Sequence, residues 1–279
     1  MPDSGYVGQE QADGAVIRNH EGTDIRLKVT GLSRYFGGVR ALHEVDFEIR
    51  SQEILGLIGP NGSGKSTCVN VISGALPPTR GEVRLAGQLL SGRRLSAVVK
   101  AGLSRTFQTT NIFPEFTALQ NVLVGANTRH ESSATAAVFC TPHSRTDEKH
   151  ILQQALEILD FVGLGGKQDV IAGTLTVNEQ RLLMIATALM TRPRVLLLDE
   201  PAAGMVSIER KHLANVIRKL PESFGLSVML IEHHMGLIME ICDRIVVLNF
   251  GQKIAEGIPE DIRNNPSVIE AYLGHNSYA

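Results

Sequence analysis

The sequence predicts an α/β fold built on a mainly parallel sheet, with an antiparallel β layer near the N-terminus and a helical subdomain. Three observations carry this. Residues Ile54–Ile58, Val195–Leu198 and Val228–Ile231 are unbroken apolar runs, as parallel strands covered on both faces require. Helical patterns sit between such runs, at Ser66–Gly74, Glu148–Val162, Asn178–Met190 and Ser207–Leu220, so strands and helices alternate. In contrast, Ile25–Val29, Val45–Arg50 and Glu82–Gly87 alternate apolar with polar residues, the pattern of strands with one wet face.

Composition bounds the function. A chain of 279 residues, 43% hydrophobic and 20% charged, can build one large domain with a substantial core. Lys and Arg number 27 against 29 Asp and Glu, a net charge of −2, which argues against electrostatic binding of nucleic acid. Cys68, Cys140 and Cys242 are far apart; they form neither a zinc pattern nor an even disulfide framework and fit a reducing cytosol. The most apolar stretch, Leu226–Phe250, is interrupted by Glu232, His233, His234, Glu240, Asp243 and Arg244, so it falls short of the roughly 18 apolar residues a membrane span needs. The N-terminus lacks a signal-peptide core.

In chain order, residues 1–24 are polar and aperiodic and read as a disordered arm, with a single domain expected over 25–279. Between 91 and 165 a helical stretch breaks the strand–helix alternation, and the helical subdomain is expected over roughly 91–190. Within it, 128–147 is rich in Ser, Thr and Ala and reads as a loop or frayed helix.

The chemistry starts at Gly59-Pro60-Asn61-Gly62-Ser63-Gly64-Lys65-Ser66, which matches G-x-x-x-x-G-K-[ST]. The segment follows a buried strand and opens a helix, the context this motif needs. Its glycines let backbone N–H groups surround phosphate oxygens, Lys65 reaches the β and γ phosphates, and the Ser66 hydroxyl can ligate Mg²⁺. The positive end of the helix adds to the attraction. A second site lies where the run Val195–Leu198 ends in Asp199 and Glu200. Ligands bind at the C-terminal ends of parallel strands; there Asp199 can hold Mg²⁺ and Glu200 can accept a proton from an attacking water.

With Ile231-Glu232-His233 downstream, these motifs resemble the ATP-binding subunits of ABC transporters, over about Leu27 to Gly274. Tyr35-Phe36-Gly37-Gly38, Arg105-Thr106-Phe107-Gln108, Asp199-Glu200-Pro201-Ala202-Ala203-Gly204, Ile262-Arg263-Asn264-Asn265-Pro266 and Ala271-Tyr272-Leu273-Gly274 are similar to the branched-chain amino acid importer group (LivG type). The resemblance implies the ABC ATPase fold on a P-loop NTPase core. It implies an ATPase, using ATP and Mg²⁺, that energises import of branched-chain amino acids or related small solutes. The alternatives are a regulatory subunit that binds nucleotide without hydrolysing it, and an ABC ATPase not tied to transport.

Residue by residue, the resemblance places Phe36 against adenine, with Tyr35 as the other candidate ring. It places Thr67 with Lys65 and Ser66 at the nucleotide, and Gln108 at the metal, the attacking water and the membrane partner. His233 falls at the γ-phosphate, and no role falls to His234, where the family usually has Asp. Implied partners are integral-membrane permease subunits, a second ATPase subunit or a second copy of this chain, and indirectly an extracytoplasmic solute-binding protein, with no nucleic acid. The implied location is cytoplasmic, peripheral on the inner face of the membrane, with Ile112, Phe113 and Phe116 as docking residues.

Two segments depart from the family pattern. Where the family reads Leu-Ser-Gly-Gly-Gln, this chain has Leu175-Thr176-Val177-Asn178-Glu179-Gln180. That loop grips the γ-phosphate bound to the other subunit. β-branched Val177 is expected to obstruct both close approach and unusual backbone angles, whereas Asn178 tolerates left-handed geometry and can cap a helix. Further on, Met205-Val206 stands where the family has a polar residue after leucine. Both changes fall in parts donated to the partner's site, whereas the residues for the chain's own nucleotide are present. The asymmetry implies a heterodimer whose two sites are unequal; a homodimer with two slow sites is the alternative.

Overall fold

The computed structural model describes residues 24–106, 111–126 and 142–273, with backbone only for 142–147. Its first layer is an antiparallel sheet of β1 (Ile25–Phe36), β2 (Val39–Arg50), β4 (Arg80–Leu85) and β5 (Gln88–Leu89), in the order β2-β1-β4-β5. The alternation read in the sequence is its two faces: Leu27, Val29, Val45, Phe47 and Ile49 are buried, whereas Lys28, Thr30 and Asp46 are exposed. The third predicted strand stops at Leu85 rather than Gly87. Ala86 and Gly87 both adopt positive φ and form the turn into β5, which ends the ladder.

The second sheet runs β10 (Gln252–Gly257), β9 (Arg244–Asn249), β3 (Ile54–Ile58), β8 (Ser227–Ile231), β7 (Val195–Asp199), β6 (Leu103–Thr106). All neighbours are parallel except β10 with β9. Its apolar runs divide by parity between two cores. Leu55, Leu57, Val195, Leu197, Met229 and Ile231 pack toward the antiparallel sheet and α1 (Lys65–Ile72). Ile54, Ile58, Leu196, Leu198, Val228 and Leu230 pack the other way, against a helical layer. That layer is made by α3 (Ala118–Ala126), α4 (Pro142–Phe161), α5 (Val177–Met190), α6 (Ser207–Phe224) and α7 (Met235–Ile241). With both faces covered, no position could be polar, so the runs are continuous.

The helical stretch expected from residue 91 contains a strand. After α2 (Leu95–Ala101), β6 pairs with β7 at the sheet edge, and Val98 and Leu103 belong to the core beneath the antiparallel sheet. Helix-on-helix packing therefore begins after β6, with α3 against α4 and α5. β6 escapes the sequence pattern because three of its four residues, Leu103-Ser104-Arg105-Thr106, are polar and turned inward. Helix α4 begins at Pro142, inside the segment read as a loop; 127–141, which includes Cys140, lies outside the described residues, as do 1–23. Two short helices, α8 (Pro259–Asn264) and α9 (Pro266–Leu273), close the described chain. Among the described residues, no helix is long and apolar enough to cross a membrane.

Candidate functional site

Strands β3, β7 and β8 are adjacent and parallel, so their C-terminal ends deliver three chain segments to one place. β3 delivers Gly59–Ser66, β7 delivers Asp199 and Glu200, and β8 delivers Glu232 and His233.

The loop after β3 is held in a shape that only glycine permits at two points. Gly59 has φ +152°, and a Cβ there would lie 2.1 Å from the Leu248 carbonyl oxygen. Gly64, the residue before α1, has φ +102°, and its Cβ would meet the Ala41 carbonyl oxygen at 2.6 Å. Removing either glycine forces the backbone outward. A hydrogen bond from the Gly251 N–H to the Ser63 carbonyl (2.9 Å) ties the loop to the β9–β10 turn.

Lys65 folds back over this loop. Its Nζ donates to the carbonyls of Gly59 (2.7 Å) and Pro60 (2.9 Å) and lies 3.4 Å from Ser63 Oγ. Burial lowers the ammonium pKa from its ordinary 10.5, with the Glu200 carboxylate pulling in the opposite direction. One residue on, Ser66 is exposed in the first turn of α1.

Asp199, the last residue of β7, is buried. Its Oδ2 accepts a charged hydrogen bond from Arg105 Nη2 at 2.7 Å. Glu200 has φ +50°, a conformation that non-glycine residues hold only at a cost of about 1–3 kcal/mol. Its N–H donates to the Ile231 carbonyl (2.9 Å), which locks the end of β7 to the end of β8. The His233 ring then comes within reach: Nε2 is 2.7 Å from Glu200 Oε1. A carboxylate only accepts, so this contact puts a proton on Nε2.

Glu232 lies between these groups and is buried. It accepts the N–H of Ala202 at Oε1 (2.6 Å) and of His233 at Oε2 (3.2 Å). Burial raises its pKa above the ordinary 4.5, against the pull of backbone N–H groups from Ala202, His234 and His233. Glu232 thus fastens the loop after Glu200 to the base of His233. His234 supports the fold. Its Nδ1 accepts the Leu237 N–H (3.2 Å) and caps α7, as an Asp does at such a position.

The remaining predicted residues are distributed as follows. Phe36 ends β1, is 44% exposed, and carries the Arg34 guanidinium 4.6 Å from its ring centre. Tyr35 is tied up instead, its hydroxyl 3.0 Å from His43 Nδ1, which leaves Phe36 as the accessible ring. Gln108 and Phe107 lie outside the described residues. Phe113 and Phe116 are exposed and stack on each other at 5.2 Å, but Ile112 is half-buried against the main core.

At Leu175–Gln180 the structure corrects one expectation. Val177 and Asn178 are not among the residues with positive φ. They form the first turn of α5, and Thr176 and Glu179 make a complete capping box (Glu179 N–H to Thr176 Oγ1, 3.3 Å; Thr176 N–H to Glu179 Oε2, 3.0 Å). Glu179 is also paired with Lys167, and the Gln180 amide donates to the Leu175 carbonyl (3.1 Å). No backbone strain accompanies the lost glycines. Only the steric half of the expectation has a counterpart in the structure: the Val177 side chain is 61% exposed. Val206 is similarly exposed, at 60%. It stands before α6 without a side-chain oxygen, so only the Glu209 half of a cap forms, through the Val206 N–H (3.0 Å). Arg181 of α5 joins the two segments by donating to the Ala203 carbonyl.

Sequence reasoning names three residues of this site without assigning them a role: Arg105, Glu232 and His234. A carboxylate directly after an apolar strand is the available signal for Glu232. For Arg105 the signal is its place in the family-like segment Arg105-Thr106-Phe107-Gln108, but β6 carries no strand pattern that would turn its side chain inward.

Comparison with known proteins agrees with this geometry. The family model described as ABC transporter matches residues 42–203, and one described as branched-chain amino acid ATP-binding cassette transporter matches 252–277. The chain is 42% identical to the high-affinity branched-chain amino acid transport ATP-binding protein BraF of Pseudomonas aeruginosa and 41% identical to LivG of Escherichia coli. Each match covers 89% of this chain and 97% of the relative. Among solved structures, the ADP conformation of MJ1267, an ATP-binding cassette of an ABC transporter, aligns with a TM-score of 0.78 at 31% identity, covering 90% of this chain and all of that one. The dimeric post-hydrolysis state of the cassette MJ0796, bound to ADP and Pi, aligns with a TM-score of 0.69 at 25% identity, over 84% and 98% of the two chains.

Proposed function

From the premise that this chain belongs to the ATP-binding subunits of ABC transporters and is an ATPase of that family, we propose that it drives import of branched-chain amino acids or related small solutes. The names of its relatives support the solute class. The chain would lie on the inner face of the membrane against permease subunits, with the stacked Phe113 and Phe116 as a docking patch.

The substrate is ATP. The loop Gly59–Gly64, through the backbone N–H groups of every residue but Pro60, would bind its phosphates with Lys65, Ser66 and Thr67, and Phe36 would stack on its adenine. A hydroxyl on Ser66 and a carboxylate on Asp199 fit Mg²⁺, which binds through one or two protein oxygens and keeps the phosphates and waters as its other ligands. Bound there, the ion would neutralise charge on the β and γ phosphates. Glu200 would take the proton of the attacking water, and the His233 Nε2–H, which it now holds, would turn to the γ-phosphate. Gln108 would complete the site toward the permease.

The carrying observation is the contrast between two surfaces of one chain. The residues for its own ATP converge with hydrogen-bonded order, whereas Val177 and Val206 project from the segments that the family donates to a partner. We therefore propose a heterodimer with a second ATPase subunit, in which the ATP bound to this chain is the one hydrolysed. A related cassette is known as a dimer. The regular backbone at Val177 and Asn178 favours a second reading, a homodimer with two slow sites. The test is to change Glu200→Gln and the equivalent Glu of the partner separately in the assembled transporter. Turnover is expected to collapse with the first change and to persist with the second. Turnover that survives Glu200→Gln overturns the assignment.

A further inference from the structure

Arg105 spans three elements from the interior of the site. Its side chain is almost wholly buried, like that of Asp199. Nη2 donates to Asp199 Oδ2 on β7 at 2.7 Å, and Nη1 donates to Asn70 Oδ1 at 2.7 Å and Ser73 Oγ at 3.2 Å. Asn70 lies in α1, the helix that opens with Lys65 and Ser66, and Ser73 directly follows it. The edge strand β6 thus sends one planar fork between the helix that carries Ser66 and the strand that ends in Asp199.

We propose that Arg105 is a positioning residue for the metal end of the nucleotide site, fixing the Asp199 carboxylate at a set distance from Ser66. A buried carboxylate needs a partner, and a single charge of any shape could neutralise it. Only a guanidinium supplies rigid, divergent donors that satisfy Asp199 and α1 together. A lysine would neutralise Asp199 but could not hold both sides at once. The charge of Arg105 also offsets that of Asp199.

This inference rests on the reading of Asp199 as a metal ligand, and the experiment separates the two. Calorimetry with ADP, in EDTA and across a Mg²⁺ titration, is run on the full chain and on Arg105→Lys, Asn70→Ala and Asp199→Asn. Arg105→Lys is expected to raise the half-saturating Mg²⁺ concentration about tenfold, with ADP affinity in EDTA within about twofold. Asn70→Ala, which keeps the ion pair and so guards against misfolding of the lysine variant, is expected to shift it in the same direction by less. Asp199→Asn should abolish the Mg²⁺ dependence. A Mg²⁺ requirement unchanged in both Arg105→Lys and Asn70→Ala, with or without a lowered melting temperature, overturns the proposal while leaving Asp199 in its role. An unchanged requirement in Asp199→Asn overturns both.

Discussion

The side of the molecule around Gly59–Ser66 and the edge carrying Leu175–Gln180 and Met205–Val206 follow different physical rules. Around Gly59–Ser66, Asp199, Glu200 and His233, the backbone is forced into positive φ at Gly59, Gly64 and Glu200, and the ionised side chains are tied to one another or to main-chain groups. At Leu175–Gln180 and Met205–Val206, the backbone is a pair of ordinary helix starts, with Val177 and Val206 facing outward. The first region is intolerant because each group is over-determined by its neighbours. In the second, the capping box and the buried Leu175 and Met205 serve the fold, whereas the Val177 and Val206 side chains lie on the surface. A substitution at the exposed Val177 or Val206 therefore changes the surface more than the core.

The contrast breaks most directly at Lys65. Lys65→Ala should lower nucleotide affinity at least tenfold, measured calorimetrically, and turnover by about a hundredfold or more, since its ammonium is the cation held against the loop carbonyls. A comparable effect is expected from Gly59→Ala: a methyl group 2.1 Å from the Leu248 carbonyl oxygen must displace the loop, and equilibrium dialysis with ATP should show little binding.

Smaller effects sharpen the comparison. Val177→Gly with Asn178→Gly should speed hydrolysis in the assembled transporter by about three- to tenfold, because the lesion is a side chain in the way and not a misfolded loop; a rate equal to the parent would show that Val177 obstructs nothing. Next comes pH. Burial holds the Lys65 pKa below 10.5 in the free protein, and bound phosphate favours the ammonium form. Nucleotide binding should therefore take up a proton between that lowered value and 10.5, and affinity should fall as pH rises through it. Calorimetry in buffers of different ionisation enthalpy reads this uptake directly. The smallest change is expected from Val206→Asn, which supplies the missing N-cap oxygen for α6. It should stabilise the isolated chain by about 0.5–1 kcal/mol, seen as a higher melting temperature.

Much of the α/β core is legible because burial on two faces leaves an unmistakable mark: the apolar runs of β3, β7 and β8 admit no polar residue between their ends. The antiparallel sheet is legible for the converse reason. Strands with mixed surroundings are not. Inside β6, Ser104 bonds to Thr191 (2.6 Å) and Arg105 to Asp199, so inward positions carry polar groups whose partners are about ninety residues away in sequence. α7, with seven residues, is too short to show a period.

The sequence by itself marked the loop proposed to hold phosphate. The loop chemistry is local: glycines, a lysine and a hydroxyl within eight positions, announced by an apolar strand and followed by a helix. It also determined that Asp199 and Glu200 end a buried strand. Only the tertiary structure decided how these parts are braced. Glu200 meets His233, Glu232 fastens Ala202 to His233, and Arg105 joins α1 to Asp199, because parallel strands distant in sequence end side by side. Tertiary structure also decided that Val177 and Asn178 need no glycine. Backbone angles at a helix start depend on the cap and on the helix behind it, and a family pattern of glycines does not reveal whether they serve the chain's own conformation or leave room for a neighbour.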